Sequence, residues 1–334
     1  MDIQLGEERK RSGIVKASSL LLIIVLLFNA CQGKSAKQEE PVDEPKKTFS
    51  LPIVPSNLTT PKERSEYLLT HYWDSFNFQD TSYIHQPEIT EQAIVNYIDI
   101  FAHAESDAVV KAVNLTLNKA SSDSTGRMFR YVIDMMERYI YDPNSPVRNE
   151  DAYIPFAEYI IASSDPVFTE ADKEKARFGL EMALKNRVGD IAADFTYTLA
   201  SGKTGTMHQL KSEYTLLYFY NPDCNGCAEY TQIMKDSPHL QAFFEQGLLK
   251  ILAVYPDEDI SLWRSRLANI PDSWINAYDT KHVLINKKIY DLGAIPTIYL
   301  LDKDKRVILK DAQLNKLFEW IEKNNMGQPM VMAN

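Results

Sequence analysis

The spacing of apolar residues changes character once along the chain. From about Leu51 to Arg187 they recur every three or four positions; from Val188 onward they gather into short unbroken runs. In "TTPKERSEYLLTHYW", Thr60 stands as N-cap, Pro61 at the first helical position and Glu63 three residues past the cap. That is a capping box with a favoured proline. Tyr67, Leu68, His71 and Tyr72 then repeat at helical spacing, and "TEQAIVNYIDIFAHA" puts Ile94, Tyr97, Ile98 and Phe101 on one face. "GRMFRYVIDMMERYIY" and "TEADKEKARFGLEMALKN" follow the same rule. The pattern predicts five or six helices packed as antiparallel hairpins. The aromatics Tyr67, Tyr72, Trp73, Phe76 and Phe78 read as core rather than as a ligand groove, and His71 as a packed or capping histidine. No catalytic constellation stands out in this part.

The second pattern predicts strands. "YTLLYFY" (Tyr214 to Tyr220) and "LLKILAVY" (Leu248 to Tyr255) read as buried strands, and "TIYLLD" and "RVILK" as a pair joined by a tight turn at "KDK". Helices are expected from Cys227 to about Lys235, from Pro238 to Gln246, and from about Gln313 to Lys323. Ser237 caps the second, Pro238 starts it and Gly247 ends it. The order strand, helix, strand, helix, hairpin, helix is that of a central sheet covered by helices.

At 334 residues the chain has room for two such bodies, and 45% apolar content supplies both cores. A net charge of −10 argues against a nucleic-acid partner. Ahead of both bodies, Arg9, Lys10, Arg11 and Lys16 precede "ASSLLLIIVLLFNA", an apolar stretch too short to span a bilayer. The stretch ends in Ala30-Cys31 and resembles the bacterial lipoprotein signal. The resemblance implies cleavage before Cys31, lipidation of that cysteine and a polar tether over 31–50. Domains are therefore expected at 1–30 (signal), 31–50 (tether), 51–187 (helical, of unknown role) and 188–327 (sheet and helices), with 328–334 as a tail.

With Cys31 lipidated, Cys224 and Cys227 are the two remaining thiols, in an exported compartment where disulfides persist. Thiol–disulfide exchange needs an accessible thiolate and a second thiol near enough to resolve the mixed disulfide. A Cys-x-x-Cys pair opening a helix meets both needs, because one turn brings the sulfurs together and the helix N-terminus favours negative charge on the first. Here a strand ends at Tyr220, "NPD" turns, and Cys224 opens the next helix. Asp223 opposes that stabilisation with a neighbouring negative charge.

On these residues the C-terminal part resembles the thioredoxin superfamily, in particular the TlpA/ResA-like exported thiol–disulfide oxidoreductases. "VGDIAADFTYTLASGKTGTMHQLKSEYTLLYFY", "NPDCNGC" and "YDLGAIPTIYLLDKDKRV" carry the resemblance. It implies an α/β thioredoxin-like fold with Cys224 attacking, Cys227 resolving, and Ile295 beside a cis Pro296 offering backbone to an extended substrate. "ERSEYLLTHYWDSFNFQD" makes the whole chain similar to Bacteroidetes-type lipoproteins in which a mostly α-helical domain of unknown function comes first. The chain departs from the family pattern in four places. Asp223 replaces an aromatic before the first cysteine, and Asn225-Gly226 lacks the proline usual between the two. Tyr218 stands where thioredoxins bury an acid, and Tyr230 where ResA-like proteins carry a glutamate. Glu229 is the remaining candidate proton acceptor.

The expected function is exchange of disulfides on protein or peptide cysteines at the bacterial cell envelope, on the periplasmic side or outer membrane. Reduction is the expected direction, fed by a membrane electron donor, with the dithiol itself as the redox group and neither organic cofactor nor metal. A zinc site would need two more ligands, and His208, His239 and His282 show no ligand spacing. A peroxiredoxin would carry threonine where Asn221 stands. The alternative from another class is a binding or scaffold lipoprotein whose Cys224–Cys227 pair is a structural disulfide.

Overall fold

The computed structural model describes residues 47–325. The expected signal segment, Cys31, most of the expected tether and the expected tail lie outside the described residues. The helical part comprises α1 (Pro61–His71), α2 (Pro87–Asp99), α3 (Ser106–Ala120), α4 (Arg127–Tyr141), α5 (Glu150–Ala162) and α6 (Glu170–Ala183). Then follow β1 (Thr196–Leu199), β2 (Thr204–Thr206), β3 (Tyr214–Phe219), α7 (Asn225–Asp236), α8 (Pro238–Glu245), β4 (Leu249–Tyr255) and α9 (Ile260–Ser265). The chain continues through β5 (Ile275–Tyr278), α10 (Val283–Asn286), β6 (Thr297–Leu301), β7 (Val307–Leu309) and α11 (Leu314–Asn325).

The capping box at α1 forms as the sequence requires: Thr60 Oγ1 accepts from Glu63 N, and Glu63 accepts from Thr60 N. The inward face of α1 differs from the expected one. Leu69, Tyr72 and Trp73 are buried, while Tyr67 and Leu68 are half-buried. His71 rests on the Tyr67 ring, with Nδ1 2.8 Å from Asp74 Oδ2. The helix stops at His71, so Tyr72, Trp73 and Phe76 enter the core from a turn rather than from a helical face. Ile94, Tyr97, Ile98 and Phe101 do share one buried face. Leu69, Tyr72, Trp73 and Phe76 join these four in one core that runs through α1 to α6.

The sheet has seven strands in the order β2-β1-β5-β4-β3-β6-β7. β3, β4 and β5 run parallel, β6 pairs antiparallel with β3 and β7 antiparallel with β6, while β1 pairs antiparallel with β5 and β2 antiparallel with β1. The central strands read as unbroken apolar runs because both of their faces are covered. Leu216, Tyr218, Ile251, Ala253, Ile298 and Leu300 face a core closed by α7, α8 and α11. Leu217, Phe219, Leu252, Val254, Tyr299 and Leu301 face a second core with Phe195, Met207, Leu284 and Tyr290. The sequence pattern did not predict β1, β2, β5, α9 or α10. These are three to six residues long, and β1 and β5 carry Thr198 and Asn276 inside the ladder.

The segment joining the two parts also pairs with the sheet. Gly189 N donates to Val307 O (2.8 Å), Val307 N to Asp190 O (2.9 Å) and Ala192 N to Lys305 O (2.9 Å), so residues 189–192 lie along the outer edge of β7. None of the described helices is long and apolar enough to cross a membrane.

Candidate redox site

β3 delivers the chain to the top of the sheet, where the turn at Asn221–Asp223 reverses it into α7. Cys224 N donates to Asn221 O (3.1 Å) and Asp223 N to Asn221 Oδ1 (2.9 Å). The Asn221 side chain is held in turn by Asp257, to which its Nδ2 donates at 2.7 Å. Cys224 is the N-cap of α7, and its Sγ accepts from Cys227 N at 3.1 Å. A sulfur here plays the part that Ser or Asp plays at other helix starts. Cys224 is half-buried and Cys227 is 2% exposed. Burial pushes the Cys227 thiol well above the ordinary cysteine range, and its hydrogen-bonding and charge interactions with Cys224 add to the rise.

The Ile295–Pro296 peptide bond is cis, and Ile295 O lies 3.6 Å from Cys224 Sγ. Residues 71 apart in sequence are thus brought together. Gly226 faces this loop; a Cβ there would sit 3.6 Å from Pro296 Cδ. Glu229 is exposed on α7, and among the described residues no hydrogen bond joins it to either sulfur. Asp223 is exposed beside Arg266, whose Nε is 3.7 Å away, a surface pair of small energetic weight.

Tyr218 fills the position behind the two cysteines as a neutral donor. It is inaccessible to solvent, its hydroxyl donates to Cys227 O at 2.6 Å, and it lies 3.1 Å from Thr231 Oγ1. Burial holds the phenol far above its usual range, so it stays neutral. Tyr220 stacks on it with ring centroids 5.5 Å apart. The Tyr220 hydroxyl donates to Asn276 Oδ1 (2.8 Å), and Trp263 Nε1 donates to both of those oxygens (3.1 and 3.0 Å). The sequence marked Tyr218 by position; Trp263 and Asn276, 43 and 56 residues from Tyr220, carried no local signal. A cleft of about 390 Å³ opens beside the pair, lined by Pro222, Cys227, Thr231, Gln232, Ile270 and Pro271.

Comparison with known proteins bears on the fold and on the family. Residues 30–186 match a family described as a domain of unknown function (DUF5106). The thiol-disulfide oxidoreductase ResA of Bacillus thuringiensis is 30% identical over 145 residues, which span 41% of this chain and 71% of that protein. ResA of Bacillus anthracis matches to the same extent. Among solved structures, a thioredoxin-like protein from Bacteroides caccae is 44% identical, with a TM-score of 0.77 over 83% of this chain and 99% of that one. A helical region followed by a thioredoxin-like sheet, with two cysteines at the start of the helix after its third strand, places this chain in the family of ResA-like thiol–disulfide oxidoreductases.

Proposed function

We propose that the protein exchanges disulfides on protein or peptide cysteines, and that it does so as a reductant outside the cytoplasm, anchored through lipidated Cys31. The observation that carries the exchange is the seating of Cys224: a half-buried sulfur at a helix N-terminus, accepting an amide hydrogen and standing 3.6 Å from Ile295 O. The Cys224 thiolate attacks one sulfur of a substrate disulfide. A Cys224–substrate disulfide forms, the substrate S–S bond breaks, and the departing thiolate takes a proton from water. Cys227 then gives up its proton and attacks Cys224 Sγ. The Cys224–Cys227 disulfide forms and the second substrate thiolate leaves, so two electrons have passed from the dithiol to the substrate. A membrane-bound electron donor returns two electrons and two protons to the pair.

Ile295 and Pro296 present backbone to an extended peptide, and the cleft beside Cys227 receives one of its side chains. Burial raises the Cys227 thiol, so loss of its proton has to accompany the resolving attack. The cleft, which Cys227 lines, is the route we assign to its proton. Cys227→Ser is expected to accumulate covalent substrate complexes that dithiothreitol releases, read by mass spectrometry. A pair with a reduction potential below about −300 mV that also resists alkylation would instead be a structural disulfide in a scaffold protein.

A further inference from the structure

The loop that carries Ile295 and Pro296 is gripped from the helical part of the molecule. Arg148, between α4 and α5, pairs through Nη1 with Asp311 and through Nη2 with Asp291 at 3.6 Å. All three side chains are largely buried, at 21%, 19% and 12% exposure. Asp291 also accepts from Gly293 N at 3.2 Å, which shapes the turn leading to Ile295. Just upstream, Asn186 Nδ2 donates to Ile289 O at 2.7 Å and Lys185 Nζ to Lys288 O at 2.8 Å. The contacts therefore run from Arg148 to Asp291, along the turn to Ile295, and from Ile295 O to Cys224 Sγ.

Electrostatics gives Arg148 a specific task. Asp291 and Asp311 repel each other across a site with little water. A guanidinium can satisfy two carboxylates at once, which an ammonium cannot do as well. Without Arg148 the two acids face each other with Lys310 as the remaining cation beside Asp311, and Asp291 stands at the base of the loop that presents Ile295. We propose that Arg148 is a positioning residue for thiol exchange: the helical part, through the Arg148–Asp291 pair, holds the substrate-facing loop at its working distance from Cys224. This rests on the exchange activity proposed above.

The test uses the full chain and three variants: Arg148→Met, Arg148→Lys and Asp291→Asn, which keeps an oxygen for Gly293 N. Exchange is followed with a peptide carrying one disulfide, and separately with 5,5′-dithiobis(2-nitrobenzoate), which needs no backbone pairing. Arg148→Met is expected to raise KM for the peptide about tenfold, with kcat and the small-reagent rate changed by less than about twofold. Arg148→Lys should recover part of the loss. Amide hydrogen exchange over residues 289–297 should speed up in Arg148→Met and Asp291→Asn, while β3 stays protected. Unchanged loop exchange, or a looser loop with unchanged KM, overturns the proposal, as does an equal loss with both reagents. If the wild-type protein turns over no peptide, the exchange activity fails, and the hydrogen-exchange result alone decides whether Arg148 holds the loop.

Discussion

The helical and sheet parts bury the same kinds of side chain and put them to different ends. In the helical part the polar tips of Tyr72, Tyr97 and Trp73 turn back onto neighbouring helices. Tyr72 donates to Ala93 O (2.9 Å), Tyr97 is within reach of Leu69 O and Ala112 O (3.1 and 3.2 Å), and Trp73 Nε1 donates to Thr116 Oγ1 (3.1 Å). In the sheet part, Tyr218, Tyr220 and Trp263 make equivalent bonds, but theirs converge behind a pair of thiols. A hydrogen-bonded buried aromatic locks an element wherever it occurs. It becomes part of a site when the element it locks ends in a reactive group.

The sharpest break between the two parts comes from the thiols. Cys224→Ser should lower peptide-disulfide exchange by about a thousandfold or more, since the attacking group is gone and positioning alone remains. A stopped-flow assay retaining wild-type rates would end the assignment. Next in size, Trp73→Ala should cost about 3–5 kcal/mol of stability by urea titration. Exchange by the fraction still folded should stay near the wild-type rate, because Trp73 lies outside the thiol site. Tyr218→Phe and Tyr97→Phe form a matched pair, each removing a buried hydroxyl at about 1–2 kcal/mol. Only Tyr218→Phe should alter the alkylation rate of Cys227, whose carbonyl loses its partner; equal alkylation in both variants would erase the distinction drawn here.

A smaller effect follows from pH. The Cys227 thiol is raised in the folded chain, so folding is favoured while the thiol is protonated. That contribution is complete below the unfolded value of about 8.5 and is lost as pH climbs toward the folded value. From about pH 8 to 9.5, below the tyrosine range, the reduced protein should lose stability that Cys227→Ser does not lose. The smallest change is in the helical part. Thr169→Ala removes the cap on α6, where Thr169 Oγ1 accepts from Asp172 N, at about 1 kcal/mol and without effect on exchange.

What the sequence revealed depended on how local each cause was. β3, β4 and β6 were legible because double burial writes itself as an apolar run. The α1 and α8 starts were legible because Thr60 and Ser237 act on amides within three residues. β5 was not, since a four-residue strand is held by its neighbours on both sides more than by its own content. At the site, the order of strand, turn and cysteines placed Cys224 at the helix start, and the Ile-Pro-Thr segment placed the facing loop. The Tyr220–Asn276–Trp263 group and the Arg148 pairs were invisible, because their partners lie between 13 and 163 residues apart.

The strip of chain at 189–192 has a consequence for anyone wishing to separate the two parts. It occupies the open N–H and C=O groups of β7, as a donated strand would. A thioredoxin-like fragment cut to begin after Ala192 would display those groups, and β2 at the opposite margin is only three residues long. Such a fragment is prone to borrow a strand from its own kind. The boundary expected at 187/188 keeps residues 189–192 with the second fold, and a cut only a few residues later would strip away its guard against self-association.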